Sequence, residues 1–170
     1  LLGALLQLTL LLRALRYNRD LRRRSAWAAN ELVQKANTLA RRMGMSRTVT
    51  VRLSSEVGSP QTVGTLAPMI VLPTAWQTQA SSSMVSHALT HELAHIKRGE
   101  HWWVWLQFGA RVAFSFNPGI WYVISQMNTE REAACDDWAL SLGASPKRDS
   151  SSLLSVAASL LPGRPPELAI

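Results

Sequence analysis

The spacing of apolar residues predicts helices separated by short strands. Over residues 25–43 the apolar positions recur at the three- and four-residue spacing of one helix face, and Gly44 follows as a stop. Residues 48–53 alternate in the manner of a half-buried strand, and shorter strands are predicted at 62–66 and 69–72. The helical stripe comprises Trp27, Leu32, Val33, Ala36, Leu39, Ala40 and Met43.

The second half of the chain is predicted to be mostly helical. A long helix is expected over residues 83–100, and an aromatic-rich run follows at 102–116. Pro118 suits the first turn of another helix that would reach Leu142. A few strands followed by a run of helices predict an α+β fold.

The strand predicted at residues 69–72 lies between two prolines. Because proline is confined to strand ends and sheet edges, this strand is expected at the edge of the sheet. An edge strand has free backbone groups, to which an extended peptide can add itself. The predicted substrate-binding residues are therefore Met69, Ile70, Val71 and Leu72.

Length and composition narrow the class of protein. The chain of 170 residues has the length of one ordinary domain. Hydrophobic residues make up 47% and charged residues 17%, which excludes disorder as the main state. The single cysteine, Cys135, excludes an internal disulfide and a multi-cysteine zinc cluster.

The net charge of +7 is concentrated near the start of the chain. Residues 13–24 hold six arginines and one aspartate, and a leucine-rich run without charge precedes them at residues 1–12. This order favours the end of a truncated transmembrane helix at residues 1–16 with its arginines in the cytoplasm. The alternatives are an amphipathic helix that lies on the core or on a membrane surface, and an arm that binds nucleic acid. Tyr17 is the single aromatic residue among these arginines, so direct nucleic-acid binding is not expected.

The sequence His91-Glu92-Leu-Ala-His95 carries the candidate chemistry. Residues four apart return to nearly the same helix face, so both imidazoles can point at one metal ion. Glu92 lies about 100° around the helix, within reach of a water on that ion. Zinc lowers the pKa of such a water to about 7, and a glutamate then takes its proton as it attacks a carbonyl. Two surface histidines near a glutamate are the alternative.

A catalytic zinc needs a third protein ligand. His87 would extend the histidine row to about 12 Å along the helix, too far for one ion, and the role of His101 stays open. Glu132 and Asp136 are four residues apart on a predicted helix, so one can bind the metal while the other holds a ligand histidine. Between them, Cys135 is expected to be a small buried residue.

Four ordered motifs make the chain resemble the peptidase domain of β-lactam sensor–transducers of the BlaR/MecR type. They are GTLAPMIVLP at residues 64–73, HELAHIKR at 91–98, FNPGIW at 116–121 and REAACDD at 131–137. The resemblance implies a gluzincin: an α+β fold with a small mixed sheet, in which the HExxH helix and the ExxxD helix meet at the zinc. A glutamate, Glu100, stands where relatives often have an aspartate.

The resemblance also implies roles for individual residues. His91, His95 and Glu132 match the ligands of one catalytic Zn²⁺, Glu92 matches the catalytic glutamate, and Asp136 matches the acid behind a ligand histidine.

A membrane-anchored endopeptidase follows from this resemblance, with its zinc domain at residues 17–145 facing the cytoplasm of a bacterial inner membrane. It would cleave a cytoplasmic protein, such as a transcriptional repressor, and contact the membrane through the N-terminal helix. Residues 146–170 would form a linker and a short helix. The alternatives are a catalytically silent zinc-containing signalling module and a basic protein that binds a membrane surface or nucleic acid.

Overall fold

The computed structural model describes residues 2–141 and confirms the α+β fold. Helices make up most of this part of the chain, and the strands form one small sheet. The helices are α1 (Leu2–Arg24), α2 (Asn30–Arg42), α3 (Trp76–Gln79), α4 (Ser82–Lys97), α5 (Glu100–Ala113) and α6 (Pro118–Ser141). The strands are β1 (Ala26–Trp27), β2 (Thr50–Ser54), β3 (Gln61–Val63) and β4 (Met69–Pro73).

The sheet is mixed, with the strand order β1-β2-β4-β3. Strands β2 and β4 are parallel, whereas β1 and β3 are each antiparallel to their neighbour. The predicted edge position of Met69, Ile70, Val71 and Leu72 is therefore wrong: β4 pairs on both sides, and all its residues are buried. An unbroken apolar run is typical of a strand covered on both faces, and this signal outweighs the flanking prolines.

Each face of the sheet packs against helices. Val51, Leu53, Ile70 and Leu72 belong to the main core, in which α2 and α4 cover one face of the sheet. On the other face, Leu21 near the end of α1 joins a smaller buried cluster, whose other members are Val57, Val63, Met69 and Val71. This packing holds α4 against the sheet and places the end of α1 on its opposite side.

The first predicted helix begins later than expected. Residues 26 and 27 form the short strand β1, and α2 begins at Asn30. Trp27 is 71% exposed and lies under the guanidinium of Arg52, which is 4.0 Å from the ring centroid. Trp27 pairs with Arg52 as a strand residue and so lies outside helix α2. It is therefore not part of the predicted buried stripe.

The helix predicted over residues 83–100 is present as α4 and ends earlier than expected, at Lys97. Helix α4 begins after Ser81, whose hydroxyl accepts a hydrogen bond from the amide of Met84. Gly99 then adopts a left-handed conformation with φ of 66°, and Glu100 begins α5. Helices α4 and α5 are in contact on either side of this turn, and Pro118 starts α6 as predicted.

Helix α1 runs without interruption through the leucine-rich segment and the arginine cluster. The predicted domain boundary at residue 16 therefore falls inside a helix, and the boundary at residue 145 lies outside the described residues. No helix among residues 2–141 is long and apolar enough to cross a membrane. Most leucines in the first part of α1 are exposed: Leu5, Leu6, Leu8, Leu10, Leu12 and Leu15.

Candidate metal centre

Helix α4 presents His91 and His95 on one face, as their spacing predicts. Their Nε2 atoms are 3.0 Å apart, and the rings meet edge to face with centroids 4.8 Å apart. Leu93 and Ala94, between them in sequence, are fully buried in the main core. Because these two side chains anchor the helix, the histidines are turned towards a cavity at the edge of that core.

Glu132 reaches the same point from α6. Its Oε2 lies 3.4 Å from Nε2 of His91 and 3.7 Å from Nε2 of His95. Ligand atoms of the three residues all lie within 4.8 Å of one another. Contacts between α4 and α6 produce this meeting, so the structure brings together the three residues that were predicted as metal ligands.

Both histidines have a carboxylate at the other ring nitrogen. Oδ1 of Asp136 lies 2.8 Å from Nδ1 of His91, and Oε2 of Glu100 lies 2.6 Å from Nδ1 of His95. A carboxylate accepts a hydrogen bond from Nδ1–H, and an imidazole with its single proton at Nδ1 has its lone pair at Nε2. The predicted contact between Asp136 and a histidine is present, and Glu100 makes a second contact of the same kind.

Glu100 is buried at the start of α5, with 3% of its side chain exposed. Nε of Arg98 forms an ion pair with Oε1 over 2.8 Å, and Arg131 donates to Oε2 from Nη2 over 2.8 Å and from Nε over 3.1 Å. Burial alone would raise the pKa of this carboxyl, but hydrogen bonds and charges from His95 and Arg131 outweigh it and lower the pKa below its ordinary value. Glu100 is therefore ionised at neutral pH.

Glu92 points into the same cavity from the adjacent side of α4. Glu92 is buried, and its Oε2 accepts a hydrogen bond of 2.7 Å from the hydroxyl of Thr62. Thr62 lies on β3, an edge strand of the sheet. No local pattern in the sequence predicts this contact, because it joins residues 30 positions apart through the packing of α4 against β3.

The cavity has a volume of about 460 Å³. His91, His95 and Glu132 lie on its wall together with Glu92, and Gln61 and Thr62 of β3 border it. Two further helices contribute apolar surface, with Leu11, Ala14 and Leu15 from α1 and Val104 and Trp105 from α5. The cavity thus combines a polar cluster with an apolar wall.

Cys135 is fully buried, as expected, and its sulfur lies 3.5 Å from Nδ1 of His95. Burial, followed by the negative charge of Glu100, raises the pKa of this thiol to about 12. In the metal-free protein the thiol is therefore protonated at neutral pH. His87 does not join the cluster around His91 and His95, and the side chain of His101 lies outside the described residues.

The residues present fit a bound metal ion. Two imidazole nitrogens and one carboxylate oxygen are the donors of a three-residue catalytic zinc site. Two nitrogens on a tetrahedral zinc lie about 3.4 Å apart at the usual bond lengths, close to the 3.0 Å between the two Nε2 atoms. Both Nε2 lone pairs face one point, and a cation there relieves their repulsion.

An α+β fold with a histidine–carboxylate cluster formed between α4 and α6 is typical of the metallopeptidase class. Comparison with known families agrees: the model of the BlaR1 peptidase M56 family matches residues 1–165. The chain therefore belongs to the BlaR1 peptidase M56 family.

Curated relatives support this membership. The chain is similar to the regulatory protein BlaR1 of Bacillus licheniformis, with 29% identity over 106 residues, 62% of this chain and 18% of that protein. It is also similar to the methicillin resistance mecR1 proteins of Staphylococcus aureus and Staphylococcus epidermidis, with 27% identity over 88 residues, 52% of this chain and 15% of those proteins. The chain thus spans less than a fifth of the length of these relatives.

Proposed function

We propose that this chain is a zinc-dependent endopeptidase of the gluzincin type. The observation that carries the proposal is the convergence of His91, His95 and Glu132 within 4.8 Å, with Glu92 on the wall of the same cavity. The first three residues would hold Zn²⁺. Zinc in such a site supplies Lewis acidity, lowering the pKa of water to about 7 and polarising a carbonyl.

Glu92 is proposed as the general base and acid. Its carboxylate takes a proton from the attacking water and then delivers that proton to the leaving amine as the peptide C–N bond breaks. The Thr62 hydroxyl holds one carboxylate oxygen in place, so the other stays available for proton transfer. Asp136 keeps His91 in the tautomer that leaves its Nε2 free for the metal.

We also propose that the substrate is an extended peptide that pairs with β3. In the described sheet this strand pairs with β4 on one side only, and Gln61 and Thr62 border the cavity. An extended peptide added to that edge would pass beside Glu92. The peptide is proposed to pair with β3 instead of β4, because the backbone of β4 is already paired on both sides.

A regulatory role is proposed because two groups of relatives are named as regulatory and resistance proteins. The proposed substrate is a cytoplasmic protein, such as a transcriptional repressor. We further propose that residues 17–145 form the peptidase domain at the cytoplasmic face of a bacterial inner membrane. The exposed leucines and arginines of α1 support membrane contact through this helix.

The decisive experiment compares the wild type with Glu92→Gln. Zinc content is measured by elemental analysis, and cleavage is measured on a library of quenched fluorescent peptides. We expect one zinc in both proteins and at least about a hundredfold slower cleavage by the variant, because the proton acceptor is lost. Glu130→Gln, an exposed acid on α6, is the matched control and should cleave at the wild-type rate.

Each alternative gives a different result. Zinc in the wild type without cleavage of any peptide would contradict the peptidase and favour a silent zinc module. Wild-type protein without stoichiometric zinc would contradict both, and a Glu92→Gln variant that cleaves at the native rate would contradict the role of Glu92.

A further inference from the structure

The two carboxylates behind the histidines differ strongly in their surroundings. The side chain of Asp136 is 58% exposed, whereas that of Glu100 is 3% exposed. Water competes for the oxygens of Asp136, and a hydrogen bond in a buried site of low dielectric constant is electrostatically stronger. The hydrogen bond from His95 to Glu100 is therefore expected to be the stronger of the two.

The position of Glu100 is fixed by several neighbours. Arg98, directly after α4, and Arg131 of α6 each bind one of its two carboxylate oxygens. Arg131 is itself held by Asn128, whose side-chain oxygen accepts from Arg131 Nη1 over 3.1 Å and from Gln107 Nε2 over 2.7 Å. These contacts connect the Glu100 carboxylate to α6 and, through Asn128, to Gln107 further along α5. They leave the carboxylate little freedom to move.

We propose that Glu100 is the main positioning residue of the metal site. It fixes His95 as the Nδ1–H tautomer, turns the Nε2 lone pair towards the metal, and contributes more to metal affinity than Asp136 does. The effect of Glu100 on metal affinity rests on the zinc site proposed above, whereas its effect on the His95 tautomer holds for the metal-free protein as well.

The structure also holds a grouping in which Glu100 would itself be a ligand, together with His95 and Cys135. The contacts argue against that role. Both oxygens of Glu100 are engaged by arginines. His95 also faces this group with Nδ1, the nitrogen opposite to the one that faces His91 and Glu132.

The affinity test compares four variants by zinc titration against a chromophoric chelator. Glu100→Gln should weaken zinc binding about 10- to 100-fold, the usual effect of removing a partner behind a ligand histidine. Asp136→Asn should weaken it less. Glu100→Asp keeps a carboxylate and should lie between Glu100→Gln and the wild type, and the exposed Asp137→Asn should bind as the wild type does.

A second measurement separates positioning from general loss of structure. Two-bond ¹H–¹⁵N spectra of the metal-free proteins report the histidine tautomers. We expect Nδ1–H at His95 in the wild type and a mixture of tautomers in Glu100→Gln. The melting temperature of each metal-free variant shows how far the loss of the buried charge destabilises the fold. If Glu100→Gln does not fold, the zinc titration and the tautomer spectrum are measured on Glu100→Asp.

Two results would overturn the proposal: an unchanged His95 tautomer in Glu100→Gln, or a loss of zinc affinity no greater than that of Asp136→Asn. If only Glu100→Asp can be measured, a zinc affinity equal to that of the wild type in this variant would also overturn the proposal. A wild-type protein that binds no zinc would contradict the proposed peptidase, and the tautomer spectrum would still decide the role of Glu100.

Discussion

The hydroxyl of Thr62 is the contact through which the sheet reaches the proposed catalytic carboxylate. It donates to Oε2 of Glu92 over 2.7 Å and also lies 3.4 Å from the backbone oxygen of the same residue. Because Glu92 is buried, few water molecules can replace this bond. Thr62 therefore limits the orientations that the carboxylate can take.

Replacing Thr62 with valine tests this contact. Thr62→Val removes a hydrogen bond to a charged group, worth about 1.5–3 kcal/mol, and we expect peptide cleavage to slow by at least about tenfold. Zinc content should not change, because Thr62 is not among the proposed ligands. Thr62→Ser keeps the hydroxyl and should retain most of the activity; equal losses in both variants would contradict the role of the hydrogen bond.

Single residues also show how far the sequence could predict the site. The pair His91 and His95, four residues apart, could be assigned to one face because helix periodicity alone determines it. The contacts of Glu100 with His95 and Arg131 depend on the turn at Gly99 and on the packing of α6. Periodicity within one helix carries no information about either.

At the scale of structural elements, the junction between α4 and α5 determines where Glu100 lies relative to His95. Gly99 has φ of 66°, a region in which a residue with a Cβ is strained. Its left-handed conformation ends α4 and lets α5 begin with the buried Glu100. An uninterrupted helix, as predicted from the sequence, would carry Glu100 past His95.

Two glycine substitutions test this junction. Gly99→Ala should lower the free energy of unfolding by about 1–2 kcal/mol because of the left-handed backbone. Gly109→Ala is the matched control: it lies inside α5 with no atom within 4 Å of an added Cβ, and it should raise the free energy by about 0.5–1 kcal/mol. Urea denaturation of the metal-free proteins measures both changes, and a loss at Gly109 equal to that at Gly99 would contradict the argument.

At the scale of the whole molecule, apolar surface and positive charge lie on the same helix. The first part of α1 exposes leucines, and the arginine cluster follows on the same helix. Helix α5 packs beside α1 and exposes Trp102, Trp103 and Leu106. Apolar side chains combined with arginines and tryptophans are typical of a surface that meets anionic lipid.

Vesicle binding tests this surface. Arg16→Gln with Arg19→Gln should weaken binding to vesicles of phosphatidylglycerol and phosphatidylcholine by roughly thirtyfold, at about 1 kcal/mol for each arginine near the membrane. Arg41→Gln with Arg42→Gln removes the same charge from the exposed last turn of α2 and should have little effect. Co-sedimentation measures both, and equal weakening would show that net charge alone drives binding.

The sequence by itself determined the helical face of His91 and His95, the start of α6 at Pro118, and the α+β class, because these follow from periodicity and from local backbone preference. Only the tertiary structure decided that β4 lies inside the sheet, that β3 forms the edge beside the cavity, and that Glu100 stands behind His95. The contact of Thr62 with Glu92 and that of Arg131 with Glu100 each join residues 30 or more positions apart, and the strand order places β4 between β2 and β3. Such contacts depend on how whole elements pack, and local sequence patterns do not encode them.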